Sequence, residues 1–431
     1  MSRSKTTLLA TTAALFLFGA GAAMADDQAT PPAAAPAAPA AAAPAAPASW
    51  VSGIKVSGHI DAGIMFNGAD PANGVNFGHA FTDKSNAPEL NQFALTVERD
   101  PDTKATKPDF GFKFQGMFGT DSRFTHFLGE LDEAPTTRNQ FDIVEANLQA
   151  HLPFLTKLGT EVKVGQFSTP IGQEVIDPTG NTFYSHSYVF QFGIPYKHTG
   201  ILFTTHASPI VDIYYGYTTG VNTTVGSGGG YNDGQFHFLG GFGLNFAKLT
   251  VLALTHIGPE DPAGSLIGVD IHKQYRYLND VLFTYKVNDK LTSVTEFNYI
   301  RDDGFNATGG GVVQYFTYAV NAQVTAAIRA EVWRDSQGFY VAAFPGNQDA
   351  VHAEKGLPNT SYGAGPVTYG AITLGMNFKP SGLPKIIDGM TIRPEIRYDR
   401  ALAGAAPFNG NPGTSKDQFT FGVDLVTPLT F

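Results

Sequence analysis

The chain has 431 residues, no cysteine and a formal net charge of -10. Aromatic residues make up 12%, with 34 Phe and 48 Gly, against 15% charged residues. These figures exclude disulfides and thiolate metal sites. They also disfavour a nucleic-acid partner, which needs a basic face. No mature stretch reaches the ~20 apolar residues of a helical membrane span.

The first segment, MSRSKTTLLATTAALFLFGAGAAMADD, carries Arg3 and Lys5, then an apolar run around Leu8 to Phe18, then Ala23-Met24-Ala25. That order predicts a cleaved signal peptide over residues 1–25. Its loss removes two positive charges, so the mature net charge falls to about -12 from -10. Residues 26–49 hold the tract QATPPAAAPAAPAAAAPAAPAS. Ala and Pro alone cannot build a core, and this stretch is expected to be a periplasmic tether.

From Trp50 the apolar pattern has a period of two. Strands are expected over 51–66, 89–100, 109–120, 139–151, 160–168, 198–206, 210–221, 235–246, 249–257, 272–287, 291–302, 312–322, 325–335, 367–378, 390–400 and 417–431. The alternation is one-sided. Arg393, Glu395, Arg397 and Asp399 share one face, while Ile392, Pro394, Ile396 and Tyr398 share the other. Phe110, Phe112 and Phe114 likewise oppose Lys113 and Gln115.

A soluble sandwich shows the same alternation, so the connections decide. Those at 67–88, 121–138, 169–197, 222–234, 258–271, 303–311, 336–366 and 401–416 are long, and most of those between them are short. Long outer loops and tight periplasmic turns are the build of an outer-membrane barrel. Lipid offers no hydrogen-bond partner, so spanning strands must close on themselves. The fold class is therefore all-β: a transmembrane antiparallel up-and-down barrel of about sixteen strands over residues 50–431. The last strand, DQFTFGVDLVTPLTF, then pairs with the first, and Phe431 resembles the terminal aromatic read by the outer-membrane assembly machinery. Pro428 and Pro394 each lack a ladder N–H, and a bulge is expected at Pro428.

The segment GQFSTPIGQEVIDPTGNTFYSHSYVFQFGIPYKHTGILFTT, residues 165–205, is the most distinctive. Thr169, Pro170, Gly172, Glu174, Asp177, Pro178, Asn181, Tyr184, Ser187, Tyr188, Pro195, His198 and Gly200 resemble the run that follows the fifth strand in OmpL-like β-barrel porins. The resemblance extends more weakly to 110–121 and to RPEIRYDR at 393–400. It implies passive uptake of small solutes across the outer membrane.

About sixteen strands leave a water-filled lumen. The 169–197 loop is too aromatic to lie in solvent, so it is expected to fold into the lumen as a constriction, with Glu174, Asp177, Tyr184, Tyr188 and Phe190 at the narrow point. Glu161, Lys163, Arg329, Glu331, Arg393, Glu395, Arg397 and Asp399 are the expected lumen charges. Glu174 and Asp177 would oppose a basic wall, and charge at a constriction sets ion preference.

No nucleophile elbow, zincin, P-loop or dinucleotide motif is present. Ser185, His186 and Ser187 are successive residues, which on a strand point to opposite faces and make no triad. The expected protein is thus a non-enzymatic channel with no cofactor, catalytic residue or metal. Expected partners are small hydrophilic solutes or ions, outer-membrane lipid and lipopolysaccharide, the assembly machinery, and a possible homotrimer. Two other readings stay open. One is a substrate-specific channel for sugars or organic acids; the other is a structural or adhesive barrel with a plugged lumen.

Overall fold

The computed structural model describes residues 49–127, 130–131, 137–221, 223–224, 235–260, 273–346 and 361–431. The expected signal peptide (1–25) and tether (26–49) lie outside these, Ser49 apart. So do most of 222–234 and 258–271 and parts of 121–138 and 336–366.

The strands are β1 (Lys55–Asn67), β2 (Pro88–Arg99), β3 (Asp109–Gly119), β4 (Gln140–Leu152), β5 (Thr160–Ser168), β6 (Lys197–Ser208), β7 (Val211–Thr218), β8 (His237–Asn245) and β9 (Leu249–Pro259). They continue with β10 (Tyr275–Lys286), β11 (Leu291–Asp302), β12 (Ala307–Ala319), β13 (Val324–Asp335), β14 (Ala342–Ala343), β15 (Tyr362–Gly363), β16 (Val367–Phe378), β17 (Thr391–Gly404) and β18 (Asp417–Thr430). Sixteen of them close in the order β1-β18-β17-β16-β13-β12-β11-β10-β9-β8-β7-β6-β5-β4-β3-β2, and β14 and β15 form a separate pair. Closure comes from β1 on β18, with Ser57 opposite Thr430 and Asn67 opposite Thr420. No edge remains, as an apolar surround requires.

The outer face is an apolar band. Phe93, Phe114, Leu148, Tyr217, Phe297, Ile372 and Phe421 are all exposed there. The opposite face of β17 carries Arg393, Glu395, Arg397 and Asp399, all buried inside.

Three details depart from the sequence reading. β12 begins at Ala307, five residues early, because Gly309, Gly310 and Gly311 belong to the strand and not to a loop. Gly309 makes room for an indole: a Cβ there would stand 2.9 Å from Cζ2 of Trp333. Pro428 makes no bulge. It pairs in register with His59 of β1, and the ladder to β17 has already ended at Thr391 and Val426, so one neighbour needs no N–H from it. Bulges fall elsewhere. An extra residue at Asn91 shifts β2 against β1, and one at Val144 shifts β4 against β3. Each turns two successive side chains inward: Asn91 with Gln92, and Val144 with Glu145, are all buried.

Among the described residues, parts of the first three long connections and of the one after β13 pack together inside one end of the barrel. Phe81 of the first and Phe190 of the third have ring centroids 5.4 Å apart. Phe124, in the short helix α1 (Ser122–Thr125) of the second, lies 5.4 Å from Phe81 and 5.7 Å from Phe344 of the segment after β13.

Candidate functional site

The connection from β5 to β6 crosses the barrel. In the ring, β13 and β16 stand opposite β5 and β6: β7 to β12 intervene one way, and β4, β3, β2, β1, β18 and β17 the other. From β5, the chain reaches β13 by Glu174, whose Oε1 lies 2.8 Å from Arg329 Nη1. It then passes a 3-10 turn at Pro178–Gly180 and a π-helical turn at Val189–Gly193 before β6.

Such an irregular segment has few backbone partners of its own, and buried backbone groups must be paired. The wall of β13 and β17 pairs them. Arg393 donates to the carbonyls of Pro178 and Asn181 at 2.9 and 2.8 Å. Arg329 donates to Ser185 O at 2.7 Å, and Arg397 donates to His186 O. The carboxylates take the N–H groups. Glu395 accepts from Tyr184 and Ser185 at 2.9 and 3.1 Å, and Glu331 accepts from Tyr188 at 2.7 Å. On β11, Glu296 accepts from Gln173 N at 3.2 Å. Arginines read carbonyls and glutamates read amides, so the alternating charges of the wall match the loop's main chain.

The charges also balance one another. Arg397 Nη2 lies 2.8 Å from Asp399 and 3.3 Å from Glu331. Arg393 Nε donates to both oxygens of Asp424, at 3.0 and 3.1 Å. Asp399 also takes Tyr188 OH at 3.0 Å and faces His79 Nε2 of the first loop at 3.0 Å. Burial works against the Glu174 carboxylate, but the Arg329 guanidinium, His186 and the Ser187 N–H hold it down at about 2. His79 is pushed down by burial and by Arg397.

The expected site residues therefore divide. Glu174, Arg329, Glu331, Arg393, Glu395, Arg397 and Asp399 form one buried network with the loop. Tyr184, Tyr188 and Phe190 are buried too: Tyr188 stacks on Tyr369 with centroids 4.9 Å apart, and Phe190 on His186 at 4.3 Å. They hold the loop to its surroundings instead of lining open space. Asp177 does not reach the arginines. It caps its own turn through Thr179 N at 2.9 Å and lies 3.5 Å from His59 Nδ1 of β1, and its side chain stays 42% exposed. With Val175, Thr179 and Gly180 it forms the exposed edge of the loop. On β5, Glu161 pairs with His151 Nδ1 at 2.6 Å, while Lys163 is exposed inside the barrel. Phe431 is exposed beyond the last strand pair. Ser185 and Ser187 accept with their hydroxyls, from Arg329 Nη2 at 3.0 Å and Phe190 N at 3.1 Å, an anchoring arrangement.

Sequence reading missed three groups. The inner face of β8 to β11 is not uniformly polar: among buried polar groups such as His237, His256, Asp280 and Glu296, the side chains of Leu239, Leu254, Leu278, Val294 and Ile300 join one hydrophobic cluster with Ile171 and Ile194 of the loop. Water is replaced there by the loop itself, so the wall facing it follows the pattern of a protein core. Gln191 holds the first loop, accepting from Ala80 N and donating to His186 O at 2.9 Å. Asp121 gathers Asn91 and Gln92 at 3.2 and 2.8 Å, and burial pushes it up to about 7. The adjacent polar pair Asn91-Gln92 in an otherwise alternating strand was the available signal.

The comparisons with known proteins agree with this architecture. No curated protein sequence matches the chain. The outer-membrane channel DcaP of Acinetobacter baumannii is similar in structure, with 13% identity over 87% of this chain and 97% of that one, and a TM-score of 0.54. OmpF of Salmonella typhi, solved with daunomycin, shares 10% identity over 87% and 97%, with a TM-score of 0.53. An anion-selective porin from Comamonas acidovorans shares 11% over 87% and 99%, with a TM-score of 0.52. At such identities the likeness is one of fold. The profile of the family described as beta-barrel porin-2, OmpL-like, matches residues 53–429. On that match, and with its closed sixteen-stranded barrel, the chain belongs to the OmpL-like porin-2 family of the bacterial outer membrane.

Proposed function

We propose that the protein is a channel for passive diffusion of small hydrophilic solutes or ions, with residues 169–197 forming its constriction. The observation that carries this reading is the pairing of wall charges with the loop's backbone, which fixes the loop across the barrel. Glu174, Tyr184, Tyr188 and Phe190 hold the loop, Asp177 stands half-exposed at its edge beside His59 of β1, and Glu161 and Lys163 face the space it leaves. Charge at a narrow point acts through little screening water, so Asp177 and Lys163 set ion preference. Solutes and ions are the partners of the lumen, and a homotrimer is the assembly proposed.

The test is a planar-bilayer recording of the purified protein. Deleting residues 178–192 raises single-channel conductance, and changing Glu174 and Asp177 together to Gln and Asn shifts the reversal potential in a salt gradient. If neither changes, the loop is not the constriction. The dense packing of Trp333, Tyr369, Arg329 and Arg397, each almost fully buried, favours a second reading: a plugged barrel with a structural or adhesive role, or a channel selective for one sugar or acid. A silent bilayer supports the first of these. Conductance blocked by a single solute supports the second.

A further inference from the structure

The outer surface of the barrel carries a groove of about 370 Å³ between β12, β13, β16 and β17. It exists because small side chains meet there. Ala330 of β13 lies between Gln314 and Ile372, and Gly370 of β16 between Val332 and Arg400, with Val312 and Leu402 completing the lining. Its volume is that of an ordinary ligand pocket, roughly 300–1,000 Å³. The groove opens within the lipid-facing band, so hydrocarbon is the medium against it.

Its upper end is polar. Arg400 lines it, paired with Asp417 at 2.6 Å and half exposed. Arg334 follows Val332 by two residues, so it shares that face, about 6–7 Å nearer the long-loop end. Its Nη1 donates to Thr368 Oγ1 at 3.1 Å, and among the described residues no carboxylate pairs with it. An arginine above an apolar slot, at the rim of a membrane-embedded surface, suits a planar bidentate anion such as phosphate. We propose that this groove seats one acyl chain of an anionic outer-leaflet lipid, whose phosphate lies on Arg334 and Arg400. A second copy of the chain suits it less, because the core of a protein interface is depleted of charge and here the charges border the slot.

The inference rests on the outer-membrane location and not on the channel reading. Full-length mature chain is refolded in lipid-free detergent micelles and titrated with hexa-acylated diphosphoryl lipid A, and native mass spectrometry counts the bound molecules. One lipid A per chain is expected to bind ahead of all others, with phosphatidylethanolamine at least tenfold weaker. Ala330→Phe fills the groove and is expected to abolish that site. Arg334→Gln, a surface change that leaves the barrel intact, is expected to weaken it about tenfold. Heat-modifiable gel mobility verifies that both variants fold. Unchanged lipid A affinity in Arg334→Gln, or equal binding of phosphatidylethanolamine, overturns the proposal. So does an Ala330→Phe chain that changes oligomeric state while keeping its lipid, since the groove then holds another copy.

Discussion

Arg329 on β13 and Glu174 in the third loop face each other at 2.8 Å, 155 residues apart in sequence, and so tie the chain leaving β5 to the opposite side of the barrel. The pair is buried, and removing one partner of a buried pair leaves an uncompensated charge, which costs about 3–5 kcal/mol. Tyr315 OH also donates to Glu174 at 3.0 Å, so the carboxylate is the point at which the loop meets β12 and β13 together.

The pH dependence of loop docking follows from this carboxylate. Its folded value of about 2 lies below its ordinary 4.5. A depressed acid contributes fully above its unfolded value and loses that contribution as pH falls through the folded one. A difference of this size is worth roughly 3 kcal/mol. Single-channel conductance is expected to hold constant from pH 7 to about 5, then become larger or noisier towards pH 2. Glu174→Gln should show the altered trace at every pH. A wild-type trace that changes between pH 7 and 5 would assign the dependence to another group.

Gly193 lies tight against the far wall. A Cβ there would stand 2.6 Å from Asn298 Oδ1 and 2.8 Å from Trp333 Cη2. Gly193→Ala should therefore push the π-helical turn off β11 and β13, at an overpacking cost of about 1–3 kcal/mol. The chain has two Trp, and Trp50 is exposed while Trp333 is buried. A red shift of the buried Trp333 emission, with raised conductance, is the expected signature. Unchanged emission would mean that the turn tolerates the methyl.

Topology is open to labelling of intact cells. Single cysteines at Asp70 and Gln337, exposed positions of long connections, should react with a membrane-impermeant maleimide. One at Asp289, in the short β10–β11 turn, should react only after lysis. A cysteine at Phe77 is expected to stay unlabelled, because the first loop buries that residue inside. Labelling of position 289 on intact cells would reverse the barrel.

Phe431 distinguishes assembly from stability. It is 66% exposed and lies past the last pair, Ser57 with Thr430. Deleting it should change the stability of refolded protein by less than about 1 kcal/mol, as expected for a surface change. Folded protein in the outer membrane should nonetheless fall several-fold. Equal loss in both measurements would make the residue structural.

The lipid-facing half of this molecule was legible in the sequence because one solvent imposes one rule. Every spanning strand must alternate and the sheet must close, so Phe110, Phe112 and Phe114, or Ile396 and Tyr398, declare their face locally. Only the tertiary structure decided the inside. There the neighbour of each residue is another segment of chain and not water or lipid, and which segment depends on contacts far apart in sequence. RPEIRYDR shows charged residues on one face, but not that Arg393 and Arg397 donate to loop carbonyls while Glu395 accepts loop amides. Leu254 and Leu278 break the polar expectation for a lumen because Ile171 and Ile194 arrive from the third loop to cover them. Local period sets which way a side chain points, and long-range packing sets what it meets.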